Sequence, residues 1–146
     1  MRIYTIGFAQ KRAETFFGLL LGNNIQWVAD IRLNPGGQLA GFTKQEDLAY
    51  FLRRLVAGCR YVHIPLLAPT KEILSDYRAD GDWARYQARF ETLMDERRIP
   101  EVLNRADFEE ATACLLCSEP TPDYCHRRLI AERLAAHWPN VEVVHL

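Results

Sequence analysis

Residues 111–128, Ala-Thr-Ala-Cys-Leu-Leu-Cys-Ser-Glu-Pro-Thr-Pro-Asp-Tyr-Cys-His-Arg-Arg, decide the fold class. Residues 111–117 form a near-continuous apolar run, which is typical of a strand covered on both faces. Prolines then stiffen a turn, and Asp123 is placed to cap a helix that runs to about His137. A buried strand followed directly by a helix is the repeating unit of a parallel α/β sheet.

The same alternation continues along the rest of the chain. Thr43 and Glu46 match a capping box, which predicts a helix from there to about Val56. Short apolar runs predict strands at 2–6, 27–31, 60–65, 111–117 and 141–145, and helical spacing covers 13–21, 43–56, 70–77, 82–97 and 123–137. We therefore expect one α/β domain over residues 1–146, in three layers, with a mainly parallel central sheet of about five strands.

Composition narrows the function classes. The chain has 146 residues, 49% of them hydrophobic and 25% charged, with a formal net charge of −1. This balance argues against a generally basic protein that tracks nucleic acid. No apolar run approaches the roughly 20 residues of a membrane span, and the first residues do not match a signal peptide. We expect a cytoplasmic protein whose cysteines are thiols, ligands or nucleophiles rather than disulfides.

Ligands of open α/β sheets bind beyond the carboxyl ends of the strands. The segments that leave those ends are 7–12, 32–42, 66–70 and 118–124. We therefore expect the functional residues to come from these segments.

The segment after the fourth strand carries the densest chemistry. Cys117 is a candidate nucleophile, and Glu119 is a candidate general acid or base. Cys125, His126 and Arg127 follow in the predicted first turns of a helix, where the helix dipole favours anions and lowers thiol pKa values. We predict that these three residues bind substrate. The alternative interpretation is a buried cysteine, a core histidine and solvated arginines.

The end of the second strand supplies further candidates. Asp30 and Arg32 are two residues apart on a strand and therefore share a face. We predict that Asp30 is catalytic and that Arg32 binds substrate. The alternative is that the two residues form a structural ion pair. Lys44 and Lys71 are predicted to face the same crevice, or to be solvated lysines at helix starts. The glycine-rich stretch 36–42 matches no phosphate-binding loop, and we predict a flexible rim or lid.

A metal site is a separate question. Cys114 and Cys117 are three residues apart on one strand and point to opposite faces, so they do not share an ion easily. Cys117, Cys125 and His126 can converge, but no fourth ligand is obvious in the sequence. We assign no metal ligand and leave the cofactor open.

The chain resembles the family called domain of unknown function 488. The resemblance rests on Ile3–Phe8, Asp30–Pro35, Leu67–Lys71 and the specific motif Cys117–Arg128, and it runs from end to end. It implies a compact α/β domain with a motif-lined crevice and no assigned reaction. The sequence departs from the family pattern at Phe8-Ala9, where many members have His-Ser, and at Gly37, where we expect a serine. A fold-level analogy to rhodanese-like domains is weaker, because the short cradle loop after the cysteine is absent.

Three functions are consistent with these observations. The first is an enzyme-like pocket for an anionic substrate, phosphate- or nucleotide-like, served by the Cys/Glu/His/Arg cluster. The second is a non-catalytic module that binds a nucleotide or nucleic acid through the arginine pairs 53–54, 97–98 and 127–128. The third is a metal-binding or redox-responsive protein that uses Cys117, Cys125 and His126. The oligomeric state stays open.

Overall fold

The computed structural model describes the backbone of all 146 residues and every side chain except those of residues 38–40. Strands and helices alternate along the chain as the sequence predicts. Their bounds are β1 Arg2–Gly7, α1 Ala13–Gly22, β2 Trp27–Asp30, α2 Gln45–Leu55, β3 Arg60–His63, α3 Lys71–Asp80, α4 Trp83–Glu96, α5 Arg105–Glu110, β4 Ala113–Cys117, α6 His126–His137 and β5 Glu142–His145.

The strands form a five-stranded sheet in the order β3-β2-β4-β1-β5. Every neighbouring pair is parallel, so the carboxyl ends of all the strands meet at one edge. This arrangement confirms the predicted α/β class and the mainly parallel sheet.

Two apolar clusters cover the two faces of the sheet and give the three layers. Helices α1 and α2 pack on one face through residues such as Phe16, Leu20, Leu48 and Leu52. The other cluster joins the sheet to side chains of α3, α4, α5 and α6, among them Ile73, Phe90, Phe108 and Leu134. Burial of these apolar side chains is the main stabilisation of such a fold.

Helix starts differ from the predicted ones. Helix α6 begins at His126 with Cys125 as its N-cap residue, so the prediction that Asp123 caps it is wrong. Helix α2 begins at Gln45 with Lys44 at the cap, and Thr43 Oγ1 accepts a hydrogen bond from Arg32. Helix α5 was not predicted at all, because Arg105–Glu110 is too short to show a period.

The register between β2 and β4 decides which side chains share a face. Asp30 is paired with Leu116, and Leu116 belongs to the cluster under α1 and α2. Leu115 lies in the other cluster, as do Ala29 and Ile31 of the β2 segment. Because side chains alternate along a strand, Cys117 points to the face opposite that of Asp30.

Within the described residues, no helix is both long and apolar enough to cross a bilayer.

Candidate active site at the carboxyl edge of the sheet

A cavity of about 180 Å³ lies at the carboxyl edge, on the side of the sheet that carries α3, α4 and α6. Three chain segments build its walls. The residues are Arg32, Leu33 and Asn34 after β2; Pro69, Leu74, Tyr77, Arg78 and Tyr86 from the α3–α4 side; and Cys117, Ser118, Glu119, Tyr124, Cys125 and His126 around the turn into α6. A concave site at strand ends is where α/β folds bind ligands.

Cys117 and His126 make the central contact of this pocket. Cys117 ends β4, and His126 is the first residue of α6, so the turn between them brings the Sγ and Nδ1 atoms to 3.6 Å. The opposite ring nitrogen, Nε2, lies 2.8 Å from the carbonyl oxygen of Ile31. Phe90 packs against the imidazole edge to face, with 5.5 Å between ring centroids.

The carbonyl of Ile31 can only accept a hydrogen bond, so Nε2 of His126 carries a proton. Nδ1 therefore either accepts the thiol proton of Cys117 or, when protonated, donates to the thiolate. A hydrogen bond from Cys125, with help from His126, lowers the pKa of Cys117 well below its ordinary value despite burial. Burial opposes charge on His126, but the Cys117 sulfur and the Ile31 carbonyl raise its pKa.

Cys125 has the opposite tendency. Burial and its neighbour Cys117 raise the pKa of Cys125 well above the ordinary value, so it keeps its proton when Cys117 loses one. When one of the two cysteines is ionised, the negative charge therefore lies on Cys117 rather than on Cys125. Such coupled groups titrate as a unit, in which Cys117 loses its proton before Cys125 does.

Arg127 adds a buried positive charge behind the cluster. Its side chain is fully buried, and its Nη1 atom donates to the Glu119 carbonyl at 2.6 Å and lies 3.7 Å from Cys125 Sγ. Its Nε and Nη2 atoms have no hydrogen-bond partner, and no carboxylate in the described residues forms an ion pair with it. A buried cation of this kind favours negative charge on the nearby sulfurs.

Gly7 makes room for this arrangement at the end of β1. A Cβ atom on Gly7 would lie 1.6 Å from the carbonyl oxygen of Glu119 and 2.6 Å from Nη1 of Arg127. Only glycine permits the turn after β4 to approach β1 so closely.

The structure places Asp30 away from the pocket. It is fully buried on the other face of the sheet, where its oxygens accept from Arg32 at 2.6 and 2.9 Å and from the Tyr61 hydroxyl at 2.6 Å. The Arg32 guanidinium also donates to the side-chain and backbone oxygens of Thr43. These contacts form the ion pair that is the alternative to a catalytic role, and Arg32 also lines the pocket.

The remaining predicted residues lie in different places. Glu119 lines the pocket and is exposed, whereas Arg127 is buried and is not among the lining residues. Lys44 caps α2, in the layer on the opposite face, and Lys71 begins α3 one turn before the pocket-lining part of that helix. Neither lysine is among the lining residues. The predicted lid 36–42 includes residues 38–40, whose side chains lie outside the described part of the chain.

Sequence reasoning missed the wall that α3 and α4 supply. Leu74, Tyr77 and Arg78 face the pocket from α3, and Tyr86 faces it from α4. Their spacing of three and four residues is a helical face, but in sequence this face is indistinguishable from one that packs in the core. In the described residues, no ion pair or hydrogen bond engages the exposed Arg78.

Two of the three arginine pairs are engaged within the protein, whereas Arg53 and Arg54 are exposed. Arg97 donates to the carbonyls of Leu66 and Ala68, and Arg98 pairs with Glu101. Of the last pair, Arg127 is buried and Arg128 pairs with Glu132. These contacts weigh against a continuous basic surface for nucleic acid.

Comparison with known proteins adds one family. The family model described as Domain of unknown function DUF488 matches residues 12–134, which is most of the chain. The chain belongs to this family. Every lining residue of the DUF488 pocket, from Arg32 to His126, falls within the matched region.

Two further comparisons gave no relative. No curated protein matches this DUF488 chain. No solved structure matches it either.

Proposed function

We propose that this DUF488 protein is an enzyme that holds an anionic, phosphate- or nucleotide-like substrate in the pocket and attacks it with the sulfur of Cys117. One observation carries the proposal. In the pocket, Cys117 Sγ lies 3.6 Å from Nδ1 of His126, and the other ring nitrogen donates a hydrogen bond to the Ile31 carbonyl. A cysteine with a positioned histidine partner is a common form of activated nucleophile.

The proposed step is a substitution at an electrophilic atom of the substrate. A bond forms between Cys117 Sγ and that atom while the bond to the leaving group breaks. The proton held at Nδ1 of His126 passes to the leaving group. Glu119, exposed on the turn beside Cys117, then activates the water that releases the substrate from sulfur.

The anion is proposed to lie between Cys117 and Arg78. The charge of Arg32 is already balanced by Asp30, so Arg78 is the wall's uncompensated cation among the described residues. The side-chain amide of Asn34 and the hydroxyls of Tyr77 and Tyr124 add polar contacts around the rim. The same aromatic rings offer flat surfaces to a ligand ring, which favours nucleotide-like substrates.

A second candidate is a non-catalytic module that binds the same class of ligand. The aromatic and cationic rim favours it, because Tyr77, Tyr124 and Arg78 are suited to binding without chemistry. It differs from the first proposal in one measurable respect, since a binding module needs no reactive sulfur. For either function we propose a cytoplasmic location, which agrees with the free state of all four cysteines.

The test measures the alkylation rate of each cysteine in the reduced, folded protein by mass spectrometry. We expect Cys117 to react first, and we expect inorganic phosphate or a nucleoside monophosphate to protect it. Cys59 is the internal reference, because burial raises its pKa to about 12. The Cys117→Ser variant is the control, and we expect it to lack the fast phase of alkylation.

Two outcomes would contradict the enzyme proposal. Equal and slow labelling of the four cysteines would remove the activated thiol. Protection by anions without a fast phase at Cys117 would favour the binding module instead.

A further inference from the structure

Cys117, Cys125 and His126 form a cluster of potential metal ligands at the pocket floor. Their ligand atoms all lie within 4.8 Å of one another, and all three residues are buried. They come from the end of β4 and the start of α6, so the backbone holds them together without any metal.

The distances suit a tetrahedral zinc ion. With Zn–S near 2.3 Å and Zn–N near 2.0–2.1 Å, a sulfur and a nitrogen on one tetrahedral ion are about 3.5–3.6 Å apart. Cys117 Sγ and His126 Nδ1 are 3.6 Å apart. Two sulfurs on such an ion are about 3.8 Å apart. Because all ligand atoms already lie within 4.8 Å of one another, closing around the ion needs shifts of about 1.3 Å at most.

The surroundings of the cluster resemble those of zinc ligands. A metal-binding histidine commonly donates its other ring N–H to a backbone carbonyl, and Nε2 of His126 donates to Ile31. Arg127 Nη1 lies 3.7 Å from Cys125 Sγ and can donate to a coordinated thiolate. Two thiolates and an imidazole form a soft ligand set, which selects zinc over magnesium or calcium.

We propose that Cys117, Cys125 and His126 bind one zinc ion, with its fourth coordination position open to the pocket. All three ligand residues line the cavity, so an anion or water can reach that position. This goes beyond the proposed function: zinc bonded to Cys117 withdraws the nucleophile, so zinc binding and reaction at Cys117 exclude each other. The Cys117–His126 pair carries one proton that zinc displaces, on either residue, and Cys125 carries a second.

The experiment titrates Zn²⁺ into reduced, chelator-treated protein against a chromophoric chelator, and measures Cys117 alkylation in the same samples. We expect one zinc per chain, release of two protons, and loss of fast alkylation that a chelator restores. Cys125→Ser should weaken zinc binding by more than the roughly 10- to 100-fold that loss of a second-shell partner costs. Cys59→Ser and Cys114→Ser, outside the cluster, should bind as the unaltered protein does.

Cobalt substitution makes the test independent of whether Cys125→Ser folds. Co²⁺ bound to this cluster should show thiolate-to-metal charge transfer and the strong visible bands of a tetrahedral ion. Absence of those bands, or full zinc loading without any effect on Cys117 alkylation, would overturn the zinc site. Fast alkylation of Cys117 in a protein that binds no zinc would leave the proposed function standing alone. Tight zinc binding, together with slow alkylation of Cys117 after the zinc is removed, would support the zinc site and contradict the proposed function.

Discussion

The Nε2–H group of His126 donates to the backbone carbonyl of Ile31 across 2.8 Å, and this bond determines which ring nitrogen faces Cys117. Ile31 directly follows β2, and β2 is the hydrogen-bonded neighbour of β4, which ends at Cys117. The pairing of two strands therefore orients a side chain on a helix. A backbone acceptor serves this purpose well, because it cannot change its protonation state.

Replacement of His126 by glutamine should slow alkylation of Cys117 by at least about 10²-fold, since positioned proton transfer contributes roughly 10²–10⁴ to such reactions. The rate at Cys117 is measured by mass spectrometry on the reduced, metal-free protein. His137→Gln is the matched control, because that imidazole is exposed and, among the described residues, its one hydrogen bond is to the Arg133 carbonyl of its own helix. Equal rates in the two variants would mean that the ring is a packing element.

Arg78→Gln should make Cys117 less selective for anionic reagents. Iodoacetate and iodoacetamide differ by one charge, so their rate ratio reports the potential in the pocket. A unit charge about 4 Å away contributes about 1 kcal/mol even in water, so we expect the ratio to fall about fivefold. Arg60→Gln, at the start of β3 and hence at the opposite edge of the sheet, should leave the ratio unchanged. A fall in both variants would point to net charge rather than to a specific contact.

Asp30→Asn should destabilise the protein by about 3–5 kcal/mol, because the change leaves the buried Arg32 guanidinium without its counter-charge. The free energy of unfolding is measured in urea. The double variant Asp30→Asn with Arg32→Met should be more stable than Asp30→Asn alone, since both buried charges are then gone. A double variant no better than the single one would show that the ion pair is not the source of the loss.

Gly7→Ala should destabilise by about 1–3 kcal/mol, as expected when a well-packed site is overfilled. The added methyl would overlap the Glu119 carbonyl, which is backbone and cannot move aside alone. Gly18→Ala in α1 is the control: open space surrounds that position, and the change should add about 0.5–1 kcal/mol of helix stability. Thermal or urea unfolding of both variants checks the opposite signs. Two changes of the same sign would contradict this account of Gly7.

The fold was largely predictable because its signals are local. The apolar run before Cys117 and the helical spacing in 82–97 each reflect a regular backbone, and both elements are present within a few residues of the predicted bounds. The start of α6 was not predictable. Asp123 is a better cap residue than Cys125, but the proline-rich turn ends only at Cys125.

The site was predictable only in part. Cys117, Cys125 and His126 are close in sequence and flank a single turn, so their proximity follows from local structure. Arg78 and the tyrosines of the α3–α4 wall come from a distant segment, and their spacing alone does not separate a pocket wall from a packed face.

By itself, the sequence determined the parallel sheet, its two covering layers and the cluster at the start of α6, because periodicity and short loops act over a few residues. Only the tertiary structure decided which of the candidate side chains meet. The register that pairs Asp30 with Leu116 sends Asp30 and Cys117 to opposite faces of the sheet. A shift of one residue would reverse this, since side chains alternate along every strand.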